Sequence, residues 1–130
     1  MSRDTLDMAR VHSTIRDRIV HYHADLLHEV KAAIVGNAVV VIGMAQNPFP
    51  KKARKLLHAK GIEHKYLEYG SYFSAWRRRN ALKMWCGWPT FPMIFVRGVL
   101  IGGASELKRL ADSGELARML ADNPSQQSQP

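Results

Sequence analysis

Apolar residues recur every three or four positions along the first third of the chain, with charged residues between them. This spacing predicts helical structure over residues 4–35. The apolar positions that share one helical face are Val11, Ile15, Ile19, Val30 and Ile34. Asp4 is the predicted N-cap and Gly36 the predicted end. Residues 21–23 (His-Tyr-His) are a candidate break between two helices, although neither Pro nor Gly forces one there.

A strand–helix–strand pattern comes next. Residues 38–42 (Ala-Val-Val-Val-Ile) form a short apolar run rich in β-branched residues, which is typical of a buried central strand. A loop with two prolines leads into a basic helix that ends near Lys60, where Gly61 has the position of a C-cap glycine. Residues 62–69 alternate enough to predict a second strand. Because crossover connections are right-handed, the two strands are expected to be parallel.

The second half of the chain predicts another helix, a hairpin and two short helices. The helix covers residues 71–85, and its predicted inner face comprises Phe73, Trp76, Leu82 and Trp85. Two apolar runs, residues 93–96 and 99–101, flank a tight Arg-Gly turn and predict the hairpin. Ser105 is the predicted cap of a helix that ends at Gly114, and a last helix covers residues 115–121.

The predicted order β-α-β-α-β-β-α belongs to the α/β class. It describes a mixed four-stranded sheet with helices on both faces, which is the order of the thioredoxin fold. We therefore predict one domain over residues 24–121, preceded by a helical extension at residues 1–23. The polar residues 122–130 are predicted to be a disordered tail.

Composition excludes several classes of protein. The chain is 46% hydrophobic and 23% charged, as in globular proteins. Its single cysteine, Cys86, excludes an internal disulfide and a four-thiolate zinc site. No apolar run reaches the roughly 18 residues of a membrane span, and the N-terminus does not look like a secretory signal. We therefore expect a cytoplasmic protein without a membrane partner.

The net charge of +8 is concentrated in the middle of the chain. Residues 30–105 contain 12 Lys or Arg and 2 acids, a net charge of +10, whereas residues 1–29 and 106–130 each have a net charge of −1. Such a surface attracts an anion, which is a small acid, an acidic protein surface or a nucleic acid. Charge by itself does not choose among these.

Several motifs with fixed spacing lie in the C-terminal half. They are Trp88-Pro89-Thr90-Phe91-Pro92, Gly98, Leu100-Ile101-Gly102-Gly103, Leu107 and Ser113-Gly114-Glu115-Leu116. With these motifs, the segment 24–121 resembles the monothiol glutaredoxins. The resemblance implies a glutaredoxin-like thioredoxin fold, a cleft for glutathione and a role in redox homeostasis.

The resemblance also implies a redox motif, Cys-Gly-Phe-Ser or Cys-Pro-Tyr-Cys, between the first strand and its helix. Those positions fall on Asn47-Pro48-Phe49-Pro50, so Asn47 stands where the family has its nucleophilic cysteine. A carboxamide neither attacks a disulfide nor replaces a thiolate as an iron ligand. We therefore expect no catalytic residue there and no iron–sulfur cluster. Asn before Pro suits a helix N-cap, and a hydrogen bond from Asn47 to a ligand is the alternative interpretation.

The resemblance implies that the rest of a glutathione site is retained. The corresponding residues are Arg79, Thr90, Phe91, Pro92, Gly103, Ala104 and Ser105. A cis peptide before Pro92 would let the Phe91 backbone pair with an extended tripeptide. The helix start at residues 103–105 suits the γ-glutamyl carboxylate, and Arg79 suits the glycine carboxylate. The family's acidic partner for the ligand's amino group is absent from positions 104 and 105. Each of these residues also has a purely structural interpretation.

Together these observations predict a glutaredoxin-like binding or regulatory module without the catalytic cysteine. Its expected ligand is glutathione, or an acidic or thiol-bearing peptide of a protein partner. One alternative is a residual glutathione-dependent oxidoreductase that uses Cys86, whose basic neighbours favour a thiolate. The opposing interpretation of Cys86 is a buried apolar filler. A second alternative is a nucleic-acid-binding protein that uses the basic residues at 51–60 and 77–79, which we consider the weaker one.

Two further expectations concern the N-terminal extension. On a helix, His21 and His23 point in different directions and would not share a metal ion, so we predict no metal site. The apolar face of the extension needs a cover. We favour packing on its own domain, with pairing of two copies into a homodimer as the alternative.

Overall fold

The computed structural model describes residues 3–121, so the predicted tail at 122–130 lies outside the described residues. A single-turn 3-10 helix at Met8–Arg10 comes first. The helices are α1 (Ser13–Val20), α2 (Ala24–Gly36), α3 (Pro48–Ala59), α4 (Trp76–Cys86), α5 (Ala104–Ser113) and α6 (Glu115–Ala121). The strands are β1 (Val39–Gly43), β2 (Lys65–Glu68), β3 (Met93–Val96) and β4 (Val99–Gly102).

The four strands form one mixed sheet in the order β2-β1-β3-β4. Strands β1 and β2 are parallel, with Val41 opposite Tyr66. Strand β3 is antiparallel to β1, with Ile94 opposite Val41, and β4 is antiparallel to β3. The α/β class, the parallel strand–helix–strand unit and the order of the thioredoxin fold are therefore confirmed.

Helices cover both faces of this sheet, which explains why every residue of β1 is buried. One face packs against α2 and α4, and its buried side chains are Val40, Ile42, Met93 and Phe95. The other face packs against α3, α5 and α6, and its buried side chains are Val39, Val41, Ile94 and Val96. The alternation of side chains along each strand sends neighbouring residues to the two different cores.

The predicted helix at 4–35 is divided into three pieces. His23 has a left-handed backbone conformation (φ 49°) and separates α1 from α2, at the candidate break. Asp4 is not an N-cap: Asp7 caps the 3-10 turn, and the His12 Nδ1 accepts a hydrogen bond from the Thr14 N–H at 3.1 Å. The first break occurs because Val11 adopts an extended conformation and becomes buried.

Helix α1 buries none of its residues. Its apolar side chains Ile15, Ile19 and Val20 are 45%, 44% and 60% exposed. The extension meets the rest of the fold elsewhere, since Val11 is buried and the Arg3 side chain lies against Gly87. The homodimer through this helix stays a hypothesis.

Helix α4 begins five residues later than predicted. Gly70 and Ala75 have left-handed conformations, and the Ser71 N–H donates to the Ser74 hydroxyl in the turn between them. The predicted inner face is therefore wrong for Phe73 and Trp76, which are 89% and 57% exposed. Helical periodicity does not extend across this turn. The other two predicted positions, Leu82 and Trp85, do pack against the core.

The hairpin is confirmed. Arg97 and Gly98 both have positive φ angles, 51° and 80°, as in the two-residue turns that suit the twist of a hairpin. Within residues 3–121, none of the helices has the length and apolar character needed to cross a membrane.

Candidate functional site

A cleft of about 740 Å³ opens beyond the end of β1, between the start of α3, the loop at residues 89–92 and the start of α5. It brings together all seven residues predicted for glutathione, which are Arg79, Thr90, Phe91, Pro92, Gly103, Ala104 and Ser105. Asn47 and Phe49, two of the four positions at which the resemblance predicted a redox motif, line the same cleft. Segments far apart in sequence therefore meet at one place.

Asn47 joins two walls of this cleft. Its Oδ1 accepts a hydrogen bond from the Phe49 N–H at 3.0 Å, which confirms the predicted N-cap of α3. Its Nδ2 donates to the carbonyl oxygen of Phe91 at 3.2 Å. The peptide between Phe91 and Pro92 is cis, as expected. The start of α3 is thus linked by one side chain to the loop with the cis-proline.

The other two motif positions shape the helix rather than the cleft. Pro48 occupies the first turn of α3, where a missing N–H has no cost. Pro50 is buried against Gly43 at the end of β1. A Cβ atom on Gly43 would lie 2.8 Å from both the Pro50 Cβ and the Tyr66 hydroxyl, so only glycine fits there.

The start of α5 contains a carboxylate that the sequence reasoning missed. Gly103, not the predicted Ser105, is the N-cap of α5. The Glu106 Oε1 accepts from the Gly103 N–H at 2.9 Å, and the Ser105 hydroxyl donates to Oε2 at 3.0 Å. The hydrogen bond from the Gly103 backbone is the main cause that lowers the pKa of Glu106. A Glu three residues after a cap is the signature that could have revealed it.

Arg79 is 7% exposed, although it belongs to a run of three arginines. Its Nη1 donates to the carbonyl oxygens of Tyr69 and Ser74, at 3.1 and 2.5 Å. The guanidinium therefore holds the loop between β2 and α4 while it lines the cleft. Three lysines line the same cleft: Lys52, from the basic segment 51–60, and Lys83 and Lys108, which were not predicted as site residues.

Cationic groups dominate this cleft, with Glu106 as its one carboxylate among the described residues. The Lys52 ammonium lies 5.3 Å from the centroid of the Phe49 ring, and the Lys83 ammonium lies 5.8 Å from that of Phe91. Such a site favours a ligand with more than one carboxylate and a positive group. Further lining residues that the sequence reasoning missed are Met44, Leu56, Tyr72 and Pro89.

Cys86, the candidate reactive thiol, does not line the cleft. Its sulfur lies 3.5 Å from the Met93 Sδ and accepts from the Trp88 N–H at 3.4 Å. The side chain is partly buried and packs against the core between the sheet and α4. These contacts are those of an apolar filler with weak hydrogen bonds.

Of the basic residues considered for a nucleic acid, Lys52 and Arg79 line the cleft, whereas Arg77 does not. The Arg77 guanidinium lies 5.2 Å from the Trp76 ring centroid, and both side chains are exposed. Across residues 3–121, no three His, Cys, Asp or Glu side chains are grouped so that they could hold a metal ion.

A parallel strand–helix–strand unit followed by a hairpin, with a cleft beside a cis-proline, defines the class of thioredoxin-fold proteins. Within that class, residues 39–101 match the glutaredoxin family model. The chain is 43% identical over 116 residues to the glutaredoxin-like protein of Dictyostelium discoideum, a match that covers 89% of this chain and 94% of that protein. The chain belongs to the glutaredoxin family.

Two further similarities agree with this result. The chain is 31% identical over 103 residues to mouse glutaredoxin-3, covering 75% of this chain and 30% of that longer protein. Its fold is similar to the crystal structure of the buckwheat glutaredoxin–glutathione complex, with a TM-score of 0.65 and 23% identity. This structural match covers 75% of this chain and 88% of the buckwheat chain.

Proposed function

We propose that this glutaredoxin-like protein binds glutathione, or a peptide that carries it, without catalysing thiol–disulfide exchange in its cleft. Its role is then that of a binding or regulatory module in redox homeostasis. One observation carries the proposal: Asn47 caps α3 and donates to Phe91 in a cleft that no cysteine lines, and the seven residues predicted for glutathione line the same cleft.

The charges in the cleft suit glutathione, which has two carboxylates and one amino group. The N–H groups that follow Gly103 at the start of α5 would hold the γ-glutamyl carboxylate, and Glu106, which accepts from the Gly103 N–H, would lie near the amino group. Arg79, Lys52 and Lys83, which lie on α4 and α3, would attract the glycine carboxylate at the other end. The central cysteine of the tripeptide would then lie at Phe91, beside Asn47. The buckwheat glutaredoxin of similar fold forms a complex with glutathione, which supports this choice of ligand.

The absence of an exchange reaction follows from the chemistry of Asn47. Exchange requires a thiolate that attacks a sulfur atom, and a carboxamide has no such group. The same reason argues against a protein-ligated iron–sulfur cluster at this position. An oxidoreductase that uses Cys86 is the weaker alternative, because that sulfur lies against Met93 and outside the cleft.

A ¹⁵N-HSQC titration with reduced and oxidised glutathione tests the binding. We expect shifts confined to residues around the cleft, above all Thr90, Phe91 and the start of α5. A Lys83→Gln variant should weaken binding, because Lys83 lines the cleft. An Arg77→Gln variant is the matched control, since it removes an exposed cation outside the cleft. Absence of shifts at millimolar ligand, or equal weakening in both variants, would overturn the proposal.

A further inference from the structure

The cleft continues from Asn47 onto an apolar surface. Phe49, Lys52 and Leu56 lie at positions i, i+3 and i+7 of α3 and therefore share one helical face, and all three line the cleft. Met44, just after β1, lines it as well. We call Met44, Phe49 and Leu56 the apolar shelf. The Phe49 ring is 51% exposed, so a large part of the shelf is open to water.

The backbone geometry fixes where the shelf begins. The Phe49 N–H donates to the Asn47 Oδ1 at 3.0 Å, and the Asn47 Nδ2 donates to the Phe91 carbonyl at 3.2 Å. A tripeptide placed with its central residue at Phe91 brings its sulfur next to Asn47, and the shelf starts two residues further along α3. An apolar group attached to that sulfur would therefore reach the Phe49 ring.

Two properties of the cleft favour a ligand with a substituted sulfur. The one cysteine of the chain lies outside the cleft, so the cleft cannot form a mixed disulfide with its ligand. The sulfur of the ligand therefore does not have to be a free thiol or part of a disulfide. The cavity of about 740 Å³ also lies in the upper half of the roughly 300–1,000 Å³ that is usual for small-molecule sites. It leaves room beside a tripeptide.

We infer that the cleft binds glutathione thioether conjugates with an apolar S-substituent in preference to glutathione itself. This inference rests on the proposed function, because the tripeptide provides the charged contacts. The substituent adds burial of the Phe49 ring, which removes apolar surface from water. The Lys52 ammonium lies 5.3 Å from the centroid of the same ring, so the substituent would pack beside it, against the part of the ring that is open to water.

Calorimetric titration of the full chain with glutathione, S-methylglutathione and S-hexylglutathione tests the inference. We expect S-hexylglutathione to bind roughly tenfold or more tightly than glutathione, the factor that burial of about two methylene groups produces, with S-methylglutathione between them. S-hexylcysteine lacks the flanking carboxylates and should bind much more weakly. If it binds as tightly as the conjugate, the hexyl group binds without the tripeptide and the inference is wrong.

Two variants locate the effect. Phe49→Ala should reduce the ratio of conjugate to glutathione affinity towards one. Phe73→Ala is the matched control, because Phe73 is 89% exposed and does not line the cleft, and it should leave the ratio unchanged. The inference would be overturned if F49A kept the wild-type ratio of conjugate to glutathione affinity, or if F73A reduced that ratio as much as F49A does.

The inference and the proposed function fail in different ways. Equal affinities of the wild-type chain for glutathione and S-hexylglutathione would overturn the preference and leave glutathione binding intact. Absence of binding by all of the glutathione ligands would overturn both.

Discussion

The side-chain amide of Asn47 donates a hydrogen bond to the backbone carbonyl of Phe91 at 3.2 Å, across 44 residues of sequence. The same side chain caps α3 through its oxygen. The side chain of one residue therefore makes hydrogen bonds both to the start of α3 and to the loop that contains the cis-proline. The Phe91 carbonyl is also the group that an extended ligand would use, so Asn47 and a ligand share this acceptor, which has two lone pairs.

The two hydrogen bonds of Asn47 are separable by substitution. Asn47→Asp keeps the oxygen that caps α3 but loses the donor to Phe91, whereas Asn47→Ala loses both. We expect N47A to lower the free energy of unfolding by about 1–2 kcal/mol and N47D by less, measured by urea denaturation at neutral pH. A result in which N47D is the more destabilised variant would contradict this division of roles.

Asn47→Cys should confer glutathione-dependent disulfide reduction. A thiol at the start of α3 would experience the partial positive charge of the helix N-terminus, which lowers a thiol pKa and favours the thiolate. We expect activity of N47C in an assay that follows reduction of a glutathione mixed disulfide, and none in the wild-type chain. The control substitution is Cys86→Ser, which should change the activity of neither the wild-type chain nor N47C. Loss of N47C activity in the double variant N47C/C86S would instead assign the chemistry to Cys86.

Glu106→Gln should make the free energy of unfolding less dependent on pH in the acidic range. The pKa of Glu106 is lowered from 4.5 in the folded protein, chiefly by the Gly103 N–H. Its carboxylate therefore stabilises the fold above the unfolded-state pKa, and this contribution is lost as the pH falls through the lower folded-state pKa. We expect E106Q to be less stable by about 0.5 kcal/mol at pH 7, with the difference disappearing in acid. Thermal unfolding across this pH range measures it, and a difference that grows in acid would contradict the prediction.

Arg79→Met should destabilise the fold far more than Arg77→Met. The first substitution leaves the carbonyls of Tyr69 and Ser74 without their donor, and a lost donor to a buried group costs about 1–3 kcal/mol. Arg77 is exposed, and surface substitutions usually stay within about 0.5 kcal/mol. Urea denaturation of the two variants compares them directly. Equal effects would show that the burial of Arg79 contributes nothing to stability.

Local patterns in the sequence were sufficient for most of the fold. The β-branched run of β1 and the Arg97-Gly98 turn each have one favourable structure, because their periodicity and backbone preferences agree. Local patterns gave a wrong prediction at residues 71–75, where the aromatic spacing is helical but Gly70 and Ala75 adopt left-handed conformations. Phe73 and Trp76 are exposed because of that turn. The spacing of apolar residues does not predict the turn.

The candidate site divides in a similar way. Motifs in the sequence identified Asn47 as a helix cap, Pro92 as a cis-proline and the residues around the cleft, since these depend on local geometry and on the resemblance to a family. Met44, Leu56, Lys83 and Lys108 were not predicted, because they join Phe49 and Lys52 in the cleft only when α3, α4 and α5 pack around the sheet.

The order of the strands and helices along the chain, the Asn-Pro start of α3 and the excess of positive charge could be predicted from local patterns, since each depends on neighbouring residues or on composition. Three other properties arise from the packing of the folded chain: Asn47 donates to Phe91, Arg79 is buried while Arg77 is exposed, and Glu106 lines the cleft. The physical reason is that these properties depend on distances between segments far apart along the chain. Such distances are set when the two apolar faces of the sheet are covered by helices.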